Sequence, residues 1–157
     1  MSNTPRTSTA ARCDILVESW SYCREHKGLR IHAWVILDNH FHAILSAPDL
    51  MQVMRDLKRH TARRILDQLR GENCEWLLNQ FDYFHAAHKE QSERQVWQEG
   101  FHPVAITSDE MMLQKMEYLH GDPVARGLVA APEHWRYSSA HEWCAGVEPV
   151  LRCDPWR

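Results

Sequence analysis

The sequence predicts an α+β domain in which helices pack on an antiparallel sheet. Three observations carry that prediction. A run rich in Val, Ile and Trp at 31–37 and a second strand-like run at 40–46 are separated only by Asp38-Asn39, which is hairpin spacing. Apolar residues then recur at helical intervals through 48–69 and again around Met112, Met116 and Leu119. Finally, 157 residues with 44% hydrophobic and 25% charged content suit one globular domain with its own core.

In chain order, residues 1–11 are rich in Ser and Thr and are expected to be disordered. Residues 13–26 read as a helix with Ile15, Leu16, Ser19, Trp20 and Cys23 on one face, ended by Gly28. The two strands follow. Pro48-Asp49 opens a long helix to about Leu69, with Leu50, Val53, Met54, Leu57, Thr61, Ile65 and Leu69 as its buried stripe. Gly71-Glu72-Asn73 breaks it. A second amphipathic helix is expected at 75–87, a charged loop at 88–93, and a short strand-like stretch at 95–106 interrupted by Gly100 and Pro103. Thr107 is the expected N-cap of the next helix, with Glu110 completing a capping box. That helix is expected to stop at Gly121-Asp122-Pro123, leaving Tyr118 in its last turn. Beyond Ala130 the chain looks loop-rich, with Trp135, Trp143 and Trp156 covering core edges. The domain proper is therefore read as 12–146, flanked by 1–11 and a tail at 147–157.

The net charge of −3 gives no global basic field, so any nucleic-acid surface must be local. No apolar run has the length of a membrane span, and the polar N-terminus lacks the apolar core of a secretory signal. Five scattered cysteines with no Cys-x-x-Cys pair favour reduced thiols in a cytoplasm over a disulfide framework or a zinc ribbon.

Three features carry chemistry, each with a plainer alternative. His40 and His42 are two apart on a strand, so both imidazoles face one side while Phe41 faces the other. They are either ordinary strand histidines or two ligands of a divalent metal that needs further ligands. Tyr118 is either a core tyrosine with its hydroxyl at the rim or a nucleophile. Gln114, Lys115 and Asp122 lie three or four residues away, so a polar strip runs beside the phenol. Lys115 would favour a phenolate or hold a phosphate, and Asp122 would reach a metal next to Tyr118. Arg55, Lys58, Arg59, Arg63 and Arg64 form either a solvated helix face or a strip for a phosphate backbone.

The order of these segments resembles the REP-associated tyrosine transposases, single-tyrosine relatives of the HUH endonucleases. The matching stretches are Asp14-Ile15-Leu16-Val17-Glu18-Ser19, Ile31-His32-Ala33-Trp34-Val35-Ile36 and Asn39-His40-Phe41-His42. They continue with Trp97-Gln98-Glu99-Gly100-Phe101-His102-Pro103, Gln114-Lys115-Met116-Glu117-Tyr118-Leu119-His120 and Asp122-Pro123-Val124. The last are Gly127-Leu128-Val129 and Tyr137-Ser138-Ser139-Ala140, so the likeness spans about 13–143. It implies a ferredoxin-like antiparallel sheet with helices packed on one face. It also implies His40 and His42 as metal ligands, Tyr118 as nucleophile, and Mg²⁺ or Mn²⁺ as the ion. Asp122 stands where relatives usually carry Asn and would be the third ligand. The implied substrate is single-stranded or hairpin DNA, cut through a 5′-phosphotyrosine and rejoined without ATP. The arginine strip would position its backbone, and His102 or exposed aromatics would meet unpaired bases.

Two departures from the resemblance stand out. Relatives carry a strand ahead of the first helix, beside the HUH strand, and the polar stretch 1–12 with its Pro5 cannot form one. A truncated or mis-started copy, or a variant that borrows a strand, is therefore expected, with an open sheet edge and a homodimer formed by strand or helix exchange. Leu37-Asp38 also replaces the usual Met-Pro, which alters the turn more than the chemistry. Besides a strand-joining transposase, the sequence leaves room for an impaired remnant that only binds DNA. A hydrolase of small molecules using His40, His42 and a bound water is a third reading.

Overall fold

Strands β1 (Arg30–Ile36) and β2 (Phe41–Ser46) pair antiparallel, with Val35 opposite His42 and Ile36 opposite Phe41. The computed structural model describes residues 6–38, 40–73, 75, 76, 79 and 103–156. Helix α1 (Arg6–Lys27) precedes the hairpin, α2 (Leu50–Gly71) follows it, and α3 (Asp109–Ala125) comes later. A 3₁₀ turn (Pro132–His134) and the short α4 (Ala140–Ala145) complete the order. The architecture is α+β with an antiparallel sheet, as the sequence predicts. His102 and most of the helix expected at 75–87 lie outside the described residues, and 103–106 form no strand.

Strand β1 is buried along nearly its whole length, so it builds a core on each face. Ile31, Trp34 and Ile36 pack with Cys13, Leu16, Trp20 and Cys23 of α1 and with Val53 and Leu57 of α2. Ala33, Val35 and Leu37 pack with Met112, Met116 and Leu119 of α3. An irregularity between Ile31 and Ala33 shifts the alternation, which is why Ile31 and Trp34 share a side. Helices on a single face, as expected, describes α1 and α2; α3 lies on the other face because β1 has no polar side to leave in water.

Local signals explain most boundaries. Gly28 takes φ +68 after α1, and a Cβ there would lie 3.1 Å from Pro48 Cδ, so both conformation and close approach require glycine. Asp49 caps α2 by accepting from Gln52 N. Ser108, not Thr107, caps α3, accepting from Met111 N at 3.1 Å. Both residue types cap well, and Ser108 is the one held extended directly before the first helical residue. Helix α1 begins at Arg6, inside the stretch expected to be disordered. Ala10 packs against the core and its carbonyl accepts from Tyr137 Oη at 3.3 Å, so packing extends a helix that Ser and Thr alone would not sustain.

The stretch after α3 seals the outer edge of β1. Tyr137 O accepts from Ile36 N, and Ser139 N donates to Trp34 O, both at 2.9 Å. Trp135 Nε1 donates to Ile36 O at 3.0 Å. Asp154 N donates to Ile31 O, and its carboxylate accepts from Ile31 N at 2.8 Å and from Arg24 Nε at 3.1 Å. Residues beyond 146 are thus built into the domain, and Leu151 is buried in its core. The β2 residues opposite these outward-bonding positions include Ala43 and Leu45, whose backbone groups point away from β1. Among the described residues, none hydrogen-bonds that stretch of the β2 edge. Among the described residues the sheet is thus covered on its β1 side, and the open edge expected beside the strand of His40 and His42 falls on β2 at Ala43 and Leu45.

Asp154→Ala removes a charge-assisted bond to a strand amide and an ion pair to Arg24. It is expected to destabilise the fold by about 2 kcal/mol, lowering Tm by roughly 5 °C. A thermal melt with Tm unchanged would show that the tail does not hold β1 in solution.

Candidate metal centre and nucleophile

Leu37 N donates to His40 O at 2.8 Å, so pairing continues one residue beyond β2 and fixes His40 relative to His42. Phe41 turns to the α1 side, edge-on to Trp20 with ring centroids 5.3 Å apart. The two imidazoles therefore face α3, their ring centroids 5.0 Å apart. Asp122 arrives from α3. Its Oδ2 lies 2.8 Å from His40 Nε2 and 3.3 Å from His42 Nε2. One ligand atom from each of the three residues lies within 4.8 Å of the others.

The end of α3 decides this geometry. The helix does not stop at Gly121 but continues through Pro123 to Ala125. Pro123 cannot donate a backbone hydrogen bond, yet its ring and Leu119 are buried, and packing outweighs the lost bond. Asp122 therefore remains helical, four residues after Tyr118 and on the same side. Tyr118 is 70% exposed, and its ring centroid lies 5.9 Å from that of His42. It is not a core residue.

Burial and the neighbouring His40 depress the His42 pKa, despite the opposing pull of Asp122, which favours the neutral imidazole that binds metals. Burial alone would raise the Asp122 carboxyl, but hydrogen bonds from His40 and Arg126 outweigh it and hold the group below its usual range. Two imidazole nitrogens and an ionised carboxylate suit a divalent first-row ion or Mg²⁺ and leave coordination positions for other oxygens. The residues present therefore fit such an ion.

The other expected site residues are dispersed. Lys115 is exposed, and among the described residues no hydrogen bond or ion pair joins it to Tyr118. Arg55, Arg59 and Arg63 are exposed on α2, and Lys58 and Arg64 are partly buried there. Arg64 pairs with Glu18 of α1 at 2.7 Å. Because α2 packs on the α1 side of the hairpin, the strip and the His-His-Asp cluster belong to different layers.

Sequence reading missed two residues here. Arg126 Nε lies 2.9 Å from Asp122 Oδ1. Acid and base four apart on one helix is a legible signal, hidden by the expectation that the helix stops at Asp122. His120, between Tyr118 and Asp122, is buried with Nε2 2.7 Å from Ser139 Oγ, which accepts from Trp34 N at 2.9 Å. This chain of contacts ties α3 to β1.

Burial lowers His120 from 6.5 to about 4, so the folded chain holds it neutral. Above about pH 6.5 neither folded nor unfolded chain is charged there, and the stability is complete. As pH falls from 6.5 towards 4, the unfolded chain alone takes up the proton. The loss reaches about 3 kcal/mol, and the depressed His42 adds in the same direction. Urea melts at pH 7 and pH 4.5 measure it. His120→Gln is expected to reduce the difference, and an equal difference in the variant would assign it to other groups.

No family model and no curated protein matches the chain. Among solved structures, it is similar to a REP-associated tyrosine transposase bound to a REP hairpin. The TM-score is 0.62 at 19% identity, covering 98% of this chain and 82% of that one. At this identity the likeness establishes a shared fold. No helix among the described residues is long and apolar enough to cross a membrane.

Proposed function

We propose that this chain is a DNA strand transferase of the single-tyrosine HUH class, which cleaves and rejoins single-stranded DNA bearing hairpins. The observation that supports it best is the placement of an exposed tyrosine ring against His42, at the mouth of the His40–His42–Asp122 cluster. The fold it shares with a transposase solved on a REP hairpin is the second support. His40, His42 and Asp122 would hold Mg²⁺ or Mn²⁺, which supplies Lewis-acid charge at the scissile phosphate.

The rest of the chemistry belongs to the chain. Tyr118 Oη gives up its proton to solvent and attacks phosphorus, the P–Oη bond forms, and the bond to the 3′-oxygen breaks. That oxygen leaves as a 3′-hydroxyl after taking up a proton, and the 5′-phosphate stays on the tyrosine. Attack by a second strand's 3′-hydroxyl reverses the step and joins the ends, since the covalent link retains the phosphodiester bond. Lys115, exposed one turn before Tyr118, would approach a phosphate flanking the reacting one. Arg55, Lys58, Arg59, Arg63 and Arg64, on the helix of the other layer, would meet a hairpin stem. His102 would contact unpaired bases. The backbone edge at Ala43 and Leu45 would pair with a second copy in a homodimer, which light scattering on a sizing column tests.

The deciding experiment incubates the protein with a panel of end-labelled single-stranded hairpins and Mn²⁺, followed by a denaturing gel. A covalent protein–DNA adduct that disappears in His40→Ala is the expected result. Hairpin binding with no adduct would support the second reading, a DNA-binding remnant.

A further inference from the structure

The carboxylate of Asp122 is divided between two tasks. Oδ2 faces His40 and His42, at 2.8 and 3.3 Å. Oδ1 accepts from Arg126 Nε at 2.9 Å. Asp122 is largely buried, its side chain 13% exposed, whereas Arg126 is 50% exposed. The guanidinium is always charged, so it neutralises the one anionic donor of the cluster from outside. Arg126 also follows directly on Ala125, and its amide donates to Asp122 O at 3.0 Å, so the pair shares one helical turn.

We propose that Arg126 is a positioning residue that sets the charge and the denticity of the metal centre. This rests on the reading of His40, His42 and Asp122 as metal ligands. With Oδ1 engaged, Asp122 offers the ion a single oxygen. With its charge offset, the protein part of the centre is close to neutral. A divalent ion is then held less tightly than by a bare carboxylate, and it keeps more of its charge for an anionic phosphate. The arrangement also discriminates by ion. Ca²⁺ favours bidentate carboxylates and many oxygen ligands, whereas Mg²⁺ and Mn²⁺ accept one carboxylate oxygen in an octahedral shell. Arg126 thus selects the smaller ions.

The sign of the effect separates this role from a merely structural one. If Arg126 only braced the helix end, its loss would loosen Asp122 and weaken metal binding. If it sets charge and denticity, its loss strengthens binding. The experiment titrates Mn²⁺ into the full-length protein without DNA, following free Mn²⁺ by electron paramagnetic resonance, with Ca²⁺ as competitor. Arg126→Gln is expected to bind Mn²⁺ more tightly, on the order of fivefold for a half-exposed charge next to the site. Ca²⁺ should gain more than Mn²⁺. Arg126→Lys, which keeps the charge, is expected to retain the wild-type Mn²⁺ affinity. Unchanged or weaker Mn²⁺ binding in Arg126→Gln, with wild-type protein binding the ion, overturns the proposal alone. Failure of the wild-type protein to bind Mn²⁺ overturns both the metal centre and the role of Arg126.

Discussion

Tyr118→Phe is expected to abolish the covalent DNA adduct and to lower strand cleavage at least about a thousandfold. The variant loses one oxygen, the only atom of that side chain able to bond phosphorus. Its stability should stay within about 0.5 kcal/mol of wild type, because the ring is 70% exposed and anchors nothing in either core. Hairpin affinity should stay equally close, since the basic groups of α2 are untouched. Activity and folding thus separate cleanly in a single variant. If Tyr118→Phe still forms an adduct, another side chain is the nucleophile and the reading of the site fails. If it cleaves without an adduct, the strand is hydrolysed by water and Tyr118 is not the nucleophile.

Trp34→Ala is expected to be the most damaging change to the fold, by about 3–5 kcal/mol. The side chain is fully buried and stands edge-on to Trp20, with ring centroids 6.0 Å apart. Its Nε1 donates to Leu151 O at 3.0 Å, so truncation also leaves a buried carbonyl unsatisfied. Its backbone is the strand segment that Ser139 grips, and Ser139 in turn meets His120 of α3. The cavity would open at the junction of α1, β1 and the late part of the chain. Trp34→Phe retains most of the volume and is expected to be milder, about 1–2 kcal/mol. Equilibrium urea unfolding measures both. A loss below about 1 kcal/mol in Trp34→Ala would mean that the junction collapses around the missing ring.

What could be read from the sequence follows physical range. The hairpin was legible because Asp38-Asn39 is a short link between two β-rich runs, and the face of His40 and His42 follows from the two-residue period of a strand. The α2 stripe was legible for the same kind of reason: Val53, Met54, Leu57, Thr61, Ile65 and Leu69 are all buried. The convergence of Asp122 on the histidines came from the resemblance, since no local pattern links positions 82 residues apart. The extension of α3 was not legible. A helix rule about Pro lost to the burial of Pro123, and with it went the Arg126 pair. The cap of α3 slipped by one residue because Thr107 and Ser108 are equivalent by type. The sealing of β1 by Asp154 was invisible, because an aspartate that bonds a distant amide looks like any surface aspartate.

That last contact has a consequence for how the protein is made. Ile31 and Asp154 are 123 positions apart, so β1 emerges from the ribosome long before the residues that complete its outer side. At about 5–20 residues per second, translation separates the two by roughly ten seconds. Throughout that interval the hairpin can form locally, in microseconds, but half of its first strand stays an unpaired template. The nascent chain therefore presents a sticky β-edge to its neighbours on a polysome. Final folding waits for closure of a very long loop, which makes the reaction slow and all-or-none rather than progressive along the chain.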